Sequence, residues 1–413
     1  MFRGSAKCCM TLWVECMTKV SGFARQWTAD GYLLVAYLLF CSGFVFLSSS
    51  GGHSTIYALL VVAPFLAVVR REHFGFLRES GLLTLILVLL VYFWASVAWG
   101  EGGDIDDYRR YGWRAFMVLV FVWVTVRLAL NYDRFVWWVV LVVAGSVFLS
   151  SLVALQAYGV GSLFDLRRLS GLGRVSNPNQ FGALLGFSVI LIAGCLIGWT
   201  RGRVWTAVLW IVGGTLLAAA VLTQGRGTLV GLLCGLSLMF VLTRRWMALL
   251  GIALLGALVL WLFGGGGLEA RGFLDRTRAI EMRLELWKAG LALIKEAPVF
   301  GHGMAFSQSY QVGSYQTGSV HNLYIGIAVV GGLVGAALLV GALLYGVWVA
   351  VREKSPISPL VVGLIGFSMV YYMVEFEHIV RYPALSWLLI WFPLALAVSV
   401  EIRARRAKAA VQS

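Results

Sequence analysis

The stretch GSVHNLYIGIAVVGGLVGAALLVGALLYGVWVAVRE, Gly318 to Glu353, carries no charged side chain from Asn322 through Val351. A helix needs about 20 mostly apolar residues to cross the hydrocarbon of a bilayer, and this run exceeds that. Lipid cannot satisfy backbone polar groups, so a run of this length must be helical. At its threshold stands His321, which either marks where a helix leaves the lipid or is a reactive group held at the water-lipid boundary.

The same pattern fills the rest of the chain. Of 413 residues 60% are hydrophobic and 13% charged, with a mean hydropathy of +0.86. A soluble protein cannot hide that much apolar surface. The fold class is all-α, a polytopic integral membrane protein. Windows of spanning length fall at 31–49, 54–69, 80–98, 113–130, 135–157, 177–199, 204–222, 228–243, 247–263, 322–350, 359–376 and 384–400, about twelve transmembrane helices. The chain divides into a cytoplasmic or interfacial lead-in (1–30), spans one to nine (31–263), a large, largely helical outer loop (264–320), spans ten to twelve (321–400) and a basic tail (401–413). No cleavable signal is read before the first span. An even number of spans puts both termini on one side.

Basic residues decide which side that is. One face collects nineteen Lys and Arg against seven acids, the other fourteen against twelve. The first face is assigned to the cytoplasm, so most of the net charge of +14 is an orientation signal, and no nucleic-acid partner is expected. The six cysteines lie in the lead-in (Cys8, Cys9, Cys16) or within spans (Cys41, Cys195, Cys234) and read as packing residues or lead-in thiols.

The outer positives are biased in kind. Twelve are arginines, Arg109, Arg110, Arg114, Arg167, Arg168, Arg174, Arg226, Arg271, Arg276, Arg278, Arg283 and Arg381, and two are lysines. Arginine grips phosphate oxygens with a planar two-donor fork, whereas lysine is a point charge. Each arginine taken alone could also be a headgroup anchor or an ion-pair partner. In the long loop, RTRAIEMRLELWKAGLALIKEAP reads as an amphipathic helix with its apolar stripe at Ile280, Leu284, Trp287, Leu291 and Ile294. Arg276 and Arg283 edge that stripe and should face the membrane domain, where they need a carboxylate or a bound anion. After Pro298 comes the turn VFGHG, in which His302 is a turn residue or a substrate contact. Arg226 stands in the tight turn QGRGT between glycines, at the outer boundary. His321, at the mouth of span ten, can serve as a neutral imidazole able to accept a proton. Asp104, Asp106 and Asp107 come nearest to a metal-binding acidic pair, and are expected to pair with Arg109 and Arg110 instead; no metal site and no cofactor is expected. Glu375, Glu377, His378 and Arg381 crowd the last outer turn as an ion cluster or an anion contact.

The order of these features resembles the bacterial O-antigen ligase and polymerase superfamily: an arginine in a tight outer turn, a large outer loop with Arg283, Trp287 and PVFGHG, then His321-Asn322 opening a span with Gly332 and Gly335 downstream. Val230 departs from the leucine usual four residues after the turn arginine. The resemblance implies a metal-independent, inverting glycosyltransferase of the GT-C type in the bacterial inner membrane, with its active site on the periplasmic face. Its donor would be an O-antigen on undecaprenyl pyrophosphate, its acceptor the lipid A-core oligosaccharide, with membrane lipids around both. It implies that Arg226 and Arg283, helped by Arg167, Arg168, Arg174 or Arg276, hold the pyrophosphate and that His321 serves the acceptor hydroxyl; Asn322, His302, Arg381 and His378 are left as acceptor contacts or structural groups. An O-antigen polymerase and a protein O-oligosaccharyltransferase share donor and topology. A transporter fits less well, because its ionisable groups would sit near the membrane midplane.

Overall fold

The computed structural model describes residues 30–69, 75, 78–100, 103–159, 167–198, 202–264, 271–313 and 315–412; the lead-in, with Cys8, Cys9 and Cys16, lies outside them. The helices are α1 (Asp30–Phe46), α2 (Ser50–Ala67), α3 (Gly81–Trp99), α4 (Ile105–Asn131), α5 (Phe135–Tyr158), α6 (Pro178–Gly198), α7 (Arg203–Leu222), α8 (Arg226–Leu242) and α9 (Trp246–Gly264). Then come α10 (Arg271–Glu296), a hairpin of β1 (Tyr310–Val312) and β2 (Tyr315–Thr317), α11 (Leu323–Glu353), α12 (Ser358–Tyr371) and α13 (Trp387–Gln412). The all-helical, polytopic membrane class is therefore correct. Each expected window falls on a helix, but among the described residues length and composition qualify eight helices as membrane-crossing, with α1, α8 and α12 as shorter apolar ones.

Close helix packing gathers three helix ends at the boundary that the sequence assigns to the outer side. Along α8 and α12 the backbones come together at glycines: a Cβ on Gly235 would lie 2.5 Å from the Gly363 carbonyl oxygen, and one on Gly231 3.0 Å from that of Phe367. Small residues permit this approach where lipid supplies no hydrophobic drive between helices. It holds the start of α8, with Arg226, beside the end of α12. The start of α11 is pinned to the same place, with the Leu323 amide donating to the Tyr372 carbonyl at 2.9 Å and the Tyr324 hydroxyl to that of Met369 at 2.8 Å.

The expected span at 322–350 is not one continuous helix. Gly332 has φ 61° and ψ −167° inside α11, and the VFGHG turn plugs the break. The Leu333 and Val334 amides donate to the carbonyls of Pro298 and Val299, while the His302 and Gly303 amides donate to those of Val329 and Val330. Tyr92 of α3 donates its hydroxyl to the Gly331 carbonyl at 2.6 Å. An interrupted helix at membrane depth is tolerated only where protein re-satisfies its freed groups, and this turn does so.

The loop helix α10 also departs from expectation. Leu286 is fully buried against Tyr310 and Val320, with Met282, Ala289, Leu293 and Ile325 around them. Of the expected stripe, Trp287 packs against this cluster, while Ile280, Leu284 and Leu291 are 49%, 47% and 49% exposed. The helix has two apolar faces, and periodicity alone cannot say which one the hairpin and α11 cover. Arg283 flanks the buried face and so still points inward.

At the opposite end, Glu401 accepts from Ser80 Oγ at 2.6 Å, from the Gly81 and Leu82 amides at 3.2 Å, and from Arg405 at 2.7 Å. A carboxylate on the free amides of a helix start complements the helix dipole. Arg127, counted from sequence among the cytoplasmic positives, is instead buried in an ion pair with Asp30 at 2.7 Å, both side chains 9% exposed. Asn131 donates to the other Asp30 oxygen at 3.0 Å. Removing one partner strands the other charge, which costs about 3–5 kcal/mol. Asp30→Ala should therefore lower the thermal midpoint in detergent sharply, while the double variant Asp30→Asn/Arg127→Leu should recover most of the loss. Equal midpoints for Asp30→Ala and the wild type would refute this. Every ion pair found among the described residues joins groups that the sequence places on the same face.

Candidate active site

The tight turn 223–225 is short because Thr223 ends α7 and Gly225 begins α8 one residue before Arg226. Arg226 is thus the first residue of α8, not a turn residue, and α8 has no side-chain cap at that end. Four amide hydrogens at a helix start lack partners within the helix, so the exposed Arg226 guanidinium stands beside the positive end of the helix dipole. A Cβ on the next residue, Gly227, would meet Val374 at 2.4 Å, which brings this turn against the segment carrying Glu375.

Segment 167–170 docks on the same turn. The Leu169 amide donates to the Leu222 carbonyl at 2.9 Å and Arg168 Nε to the Thr223 carbonyl at 2.8 Å. From there a polar chain runs inward. Arg168 Nη2 donates to Asn179 Oδ1, Asn179 Nδ2 donates to Glu375 Oε1 at 2.6 Å, and Arg283 Nη2 reaches the same Oε1 at 3.5 Å. Glu375 Oε2 faces His321 Nδ1 at 3.6 Å. Burial is the strongest influence on Arg168 and lowers its pKa from the usual arginine value; Glu375 opposes the shift, and Arg283 and Arg226 add to it. Arg283 and Arg226 are therefore both close enough to act on Arg168, as is the Glu375 carboxylate.

His321 stands at the threshold of α11, one residue before its cap. Asn322 is the N-cap, its side chain accepting from the Ile325 amide at 3.1 Å, so Asn322 is structural. His321 adopts φ 51°, a left-handed conformation uncommon outside glycine, with its amide donating to Ser319 Oγ at 3.1 Å. This backbone turn swings the ring off the helix axis toward Glu375. Nδ1 is buried without a hydrogen bond among the described residues, so the carboxylate is its near partner. With the proton on Nδ1, Nε2 is the basic nitrogen.

The remaining candidates separate. Arg167 offers its carbonyl to the Tyr158 hydroxyl at 2.5 Å and its side chain is exposed. The side chains of Arg174 and Arg276 lie outside the described residues. His302 is a turn residue, bonded through Nε2 to the Leu293 carbonyl at 2.9 Å and stacked on Phe306. Arg381 Nη1 lies 3.5 Å from Glu377, whose other oxygen accepts from the Ser386 amide at 2.6 Å. His378 is half-buried with its Nδ1 enclosed; desolvation first, then the nearby Arg381 and Arg114, push its pKa down to about 4, so it is neutral at pH 7. Asp104 caps α4 through the Asp107 amide, and Asp106 and Asp107 pair with Arg109 and Arg110 as expected. Sequence reading missed Asn179 and placed Glu375 only within the ion cluster or anion contact of the last outer turn. The SNPN stretch before α6 was the only local signal for the first, and nothing local singles out Glu375 from Glu377.

Fold and site together define an all-helical polytopic membrane protein with an arginine-histidine-carboxylate cluster at one end of its helices. Residues 211–340 match the family model described as O-antigen ligase, a stretch that carries Arg226, Arg283, His321 and the Gly332 break. An O-antigen ligase of Pseudomonas aeruginosa is 25% identical over 385 residues, covering 90% of this chain and 91% of that protein. The resemblance to O-antigen ligases read from the motifs therefore stands on the family match and on a relative aligned along nearly the whole chain.

Proposed function

We propose that the protein transfers an O-antigen polysaccharide from undecaprenyl pyrophosphate to a sugar hydroxyl of the lipid A-core oligosaccharide, at the periplasmic face of the bacterial inner membrane, with both termini cytoplasmic. The observation that carries this reading is the convergence of Arg168, Arg226 and Arg283 beside the open start of α8, within reach of Glu375 and His321.

The acceptor hydroxyl attacks the anomeric carbon, the bond from that carbon to the pyrophosphate oxygen breaks, and the leaving group departs with the electron pair. Charge grows on the pyrophosphate in that step, and fixed donors aimed at it lower the barrier most. Arg226 and the amides at the start of α8 supply them, joined by Arg283 when it turns from Glu375 to the phosphate. Arg168 is held by Thr223 and Asn179 and positions the cluster. His321 Nε2 takes the hydroxyl proton, while Glu375 fixes the ring from the Nδ1 side and balances the imidazolium that forms. No step calls on a metal ion.

Reconstitution with a polyprenyl-pyrophosphate glycan and a lipid A-core acceptor, in the presence of a chelator, tests this directly. The expected product is a glycan-core conjugate. Loss of one such donor costs about 10²–10³-fold in turnover, so Arg226→Ala should fall by that amount and Arg226→Lys by less. A product lengthened on the donor lipid would assign a polymerase instead, and full activity of Arg226→Ala would remove the clamp.

A further inference from the structure

A second cationic group lies along the segment that carries Glu375, and the transfer mechanism does not use it. The Arg114 guanidinium is held between the rings of Tyr111 and Tyr382, 4.9 and 4.6 Å from their centroids, and its Nε is buried with no acceptor among the described residues. His378 Nδ1 is likewise buried and without a hydrogen bond there. Tyr382, whose ring lies under Arg114, follows Arg381 in the chain, and both arginines act electrostatically on His378, so the three side chains are neighbours. The nearby acid Glu377 is engaged by the Ser386 amide and by Arg381.

A guanidinium Nε buried without an acceptor is costly, and stacking on tyrosine recovers only part of that. The segment is also rigid: Trp387 Nε1 donates to the Arg381 carbonyl at 3.2 Å and Trp391 Nε1 to that of Ile379 at 3.0 Å. The Arg114 fork with its unbonded Nε, the Arg381 fork beside it and the His378 imidazole suit a tetrahedral oxyanion. The donor pyrophosphate already has Arg226 and Arg283, with Arg168 positioning them. This second group begins three residues beyond Glu375, next to the carboxylate that faces His321.

We propose that Arg114, Arg381 and His378 form a second anion site, separate from the pyrophosphate clamp, that holds a phosphate monoester borne by the acceptor glycan. The inference rests on the transferase reading above and adds a chemical requirement on the acceptor.

The test uses the full-length protein in nanodiscs with one donor and two acceptors, a phosphorylated core glycolipid and the same glycolipid after phosphatase treatment. The wild type should favour the phosphorylated acceptor by about 10-fold or more, chiefly through KM, as expected for charge-assisted hydrogen bonds. Arg114→Gln and Arg381→Gln should each bring that ratio close to one, with the KM for donor unchanged. Should Arg114→Gln fail to fold, the more exposed Arg381→Gln decides. A wild type indifferent to the phosphate, or variants that keep its preference, would overturn the site. So would a defect that follows anionic against zwitterionic nanodisc lipid instead of acceptor phosphate, since that marks a headgroup contact. Direct binding of the two acceptors, without donor, separates this inference from the transferase reading. If no conjugate forms yet Arg381→Gln loses affinity only for the phosphorylated glycolipid, the site stands and the transfer reading fails; equal affinity of the wild type for both glycolipids sinks the site whatever the activity.

Discussion

His321→Asn should lower glycan transfer by about 10²–10⁴-fold, the usual contribution of a positioned general base, with little change in thermal midpoint. Asparagine is the informative replacement because His321 sits at φ 51°, where asparagine is among the best-tolerated residues other than glycine. Alanine would add backbone strain to the loss of the ring and blur the two effects. The ring itself supports little of the fold: Nδ1 makes no hydrogen bond among the described residues, and Glu375 lies 3.6 Å away. Glu375→Gln keeps the shape and removes the charge opposite His321, Arg283 and Asn179. Its turnover should fall less than that of His321→Asn, and the two together should cost much less than the product of the single losses, because both changes act on one proton transfer. Initial rates of conjugate formation measure all three variants. Transfer by His321→Asn at the wild-type rate, in protein with a normal melting curve, would end the base assignment.

Gly332→Ala should have the largest effect on the fold and leave little folded protein in the membrane fraction. At φ 61° and ψ −167° the backbone occupies a region open essentially to glycine alone. An added Cβ would lie 2.2 Å from the Val299 carbonyl oxygen and 2.6 Å from the Gly301 amide nitrogen. Neither atom can move without releasing the bonds that the VFGHG turn makes to the broken ends of α11. Strain and lost contacts each cost on the order of 1–3 kcal/mol, and together they take much of the roughly 5–15 kcal/mol that separates folded from unfolded chains. Gly335→Ala, three residues on, is the control. Its Cβ would meet only the ring atoms of Phe93 and Tyr92 at 3.0–3.4 Å, which side-chain shifts can relieve. Fluorescence-detected size-exclusion profiles of the two variants compare them directly, and a monodisperse Gly332→Ala at wild-type yield would contradict the argument.

The helical class was legible because bilayer physics leaves an apolar run of spanning length one local structure, and the two charged faces were legible because spans keep charges at their ends. His321, Arg226 and Arg283 could be picked out by residue type, by their place at span boundaries and by their order in the chain. Which apolar face of α10 is covered was not, because Met282-Leu286-Leu293 and Ile280-Leu284-Leu291 both repeat at helical spacing, and only contact with Tyr310 and Val320 selects the first.

Composition and the properties of neighbouring residues were thus enough to establish that the chain is helical and membrane-embedded, and to single out Arg226, Arg283 and His321 as candidates. Long-range packing was needed to join Asn179 and Glu375, 196 positions apart, to the arginines and His321, to commit Asn322 and His302 to the backbone, and to break α11 at Gly332. Each of these depends on groups far apart in the chain meeting within hydrogen-bonding or van der Waals distance. No local pattern carries that information, because a carboxylate's partners are chosen by how the helices pack.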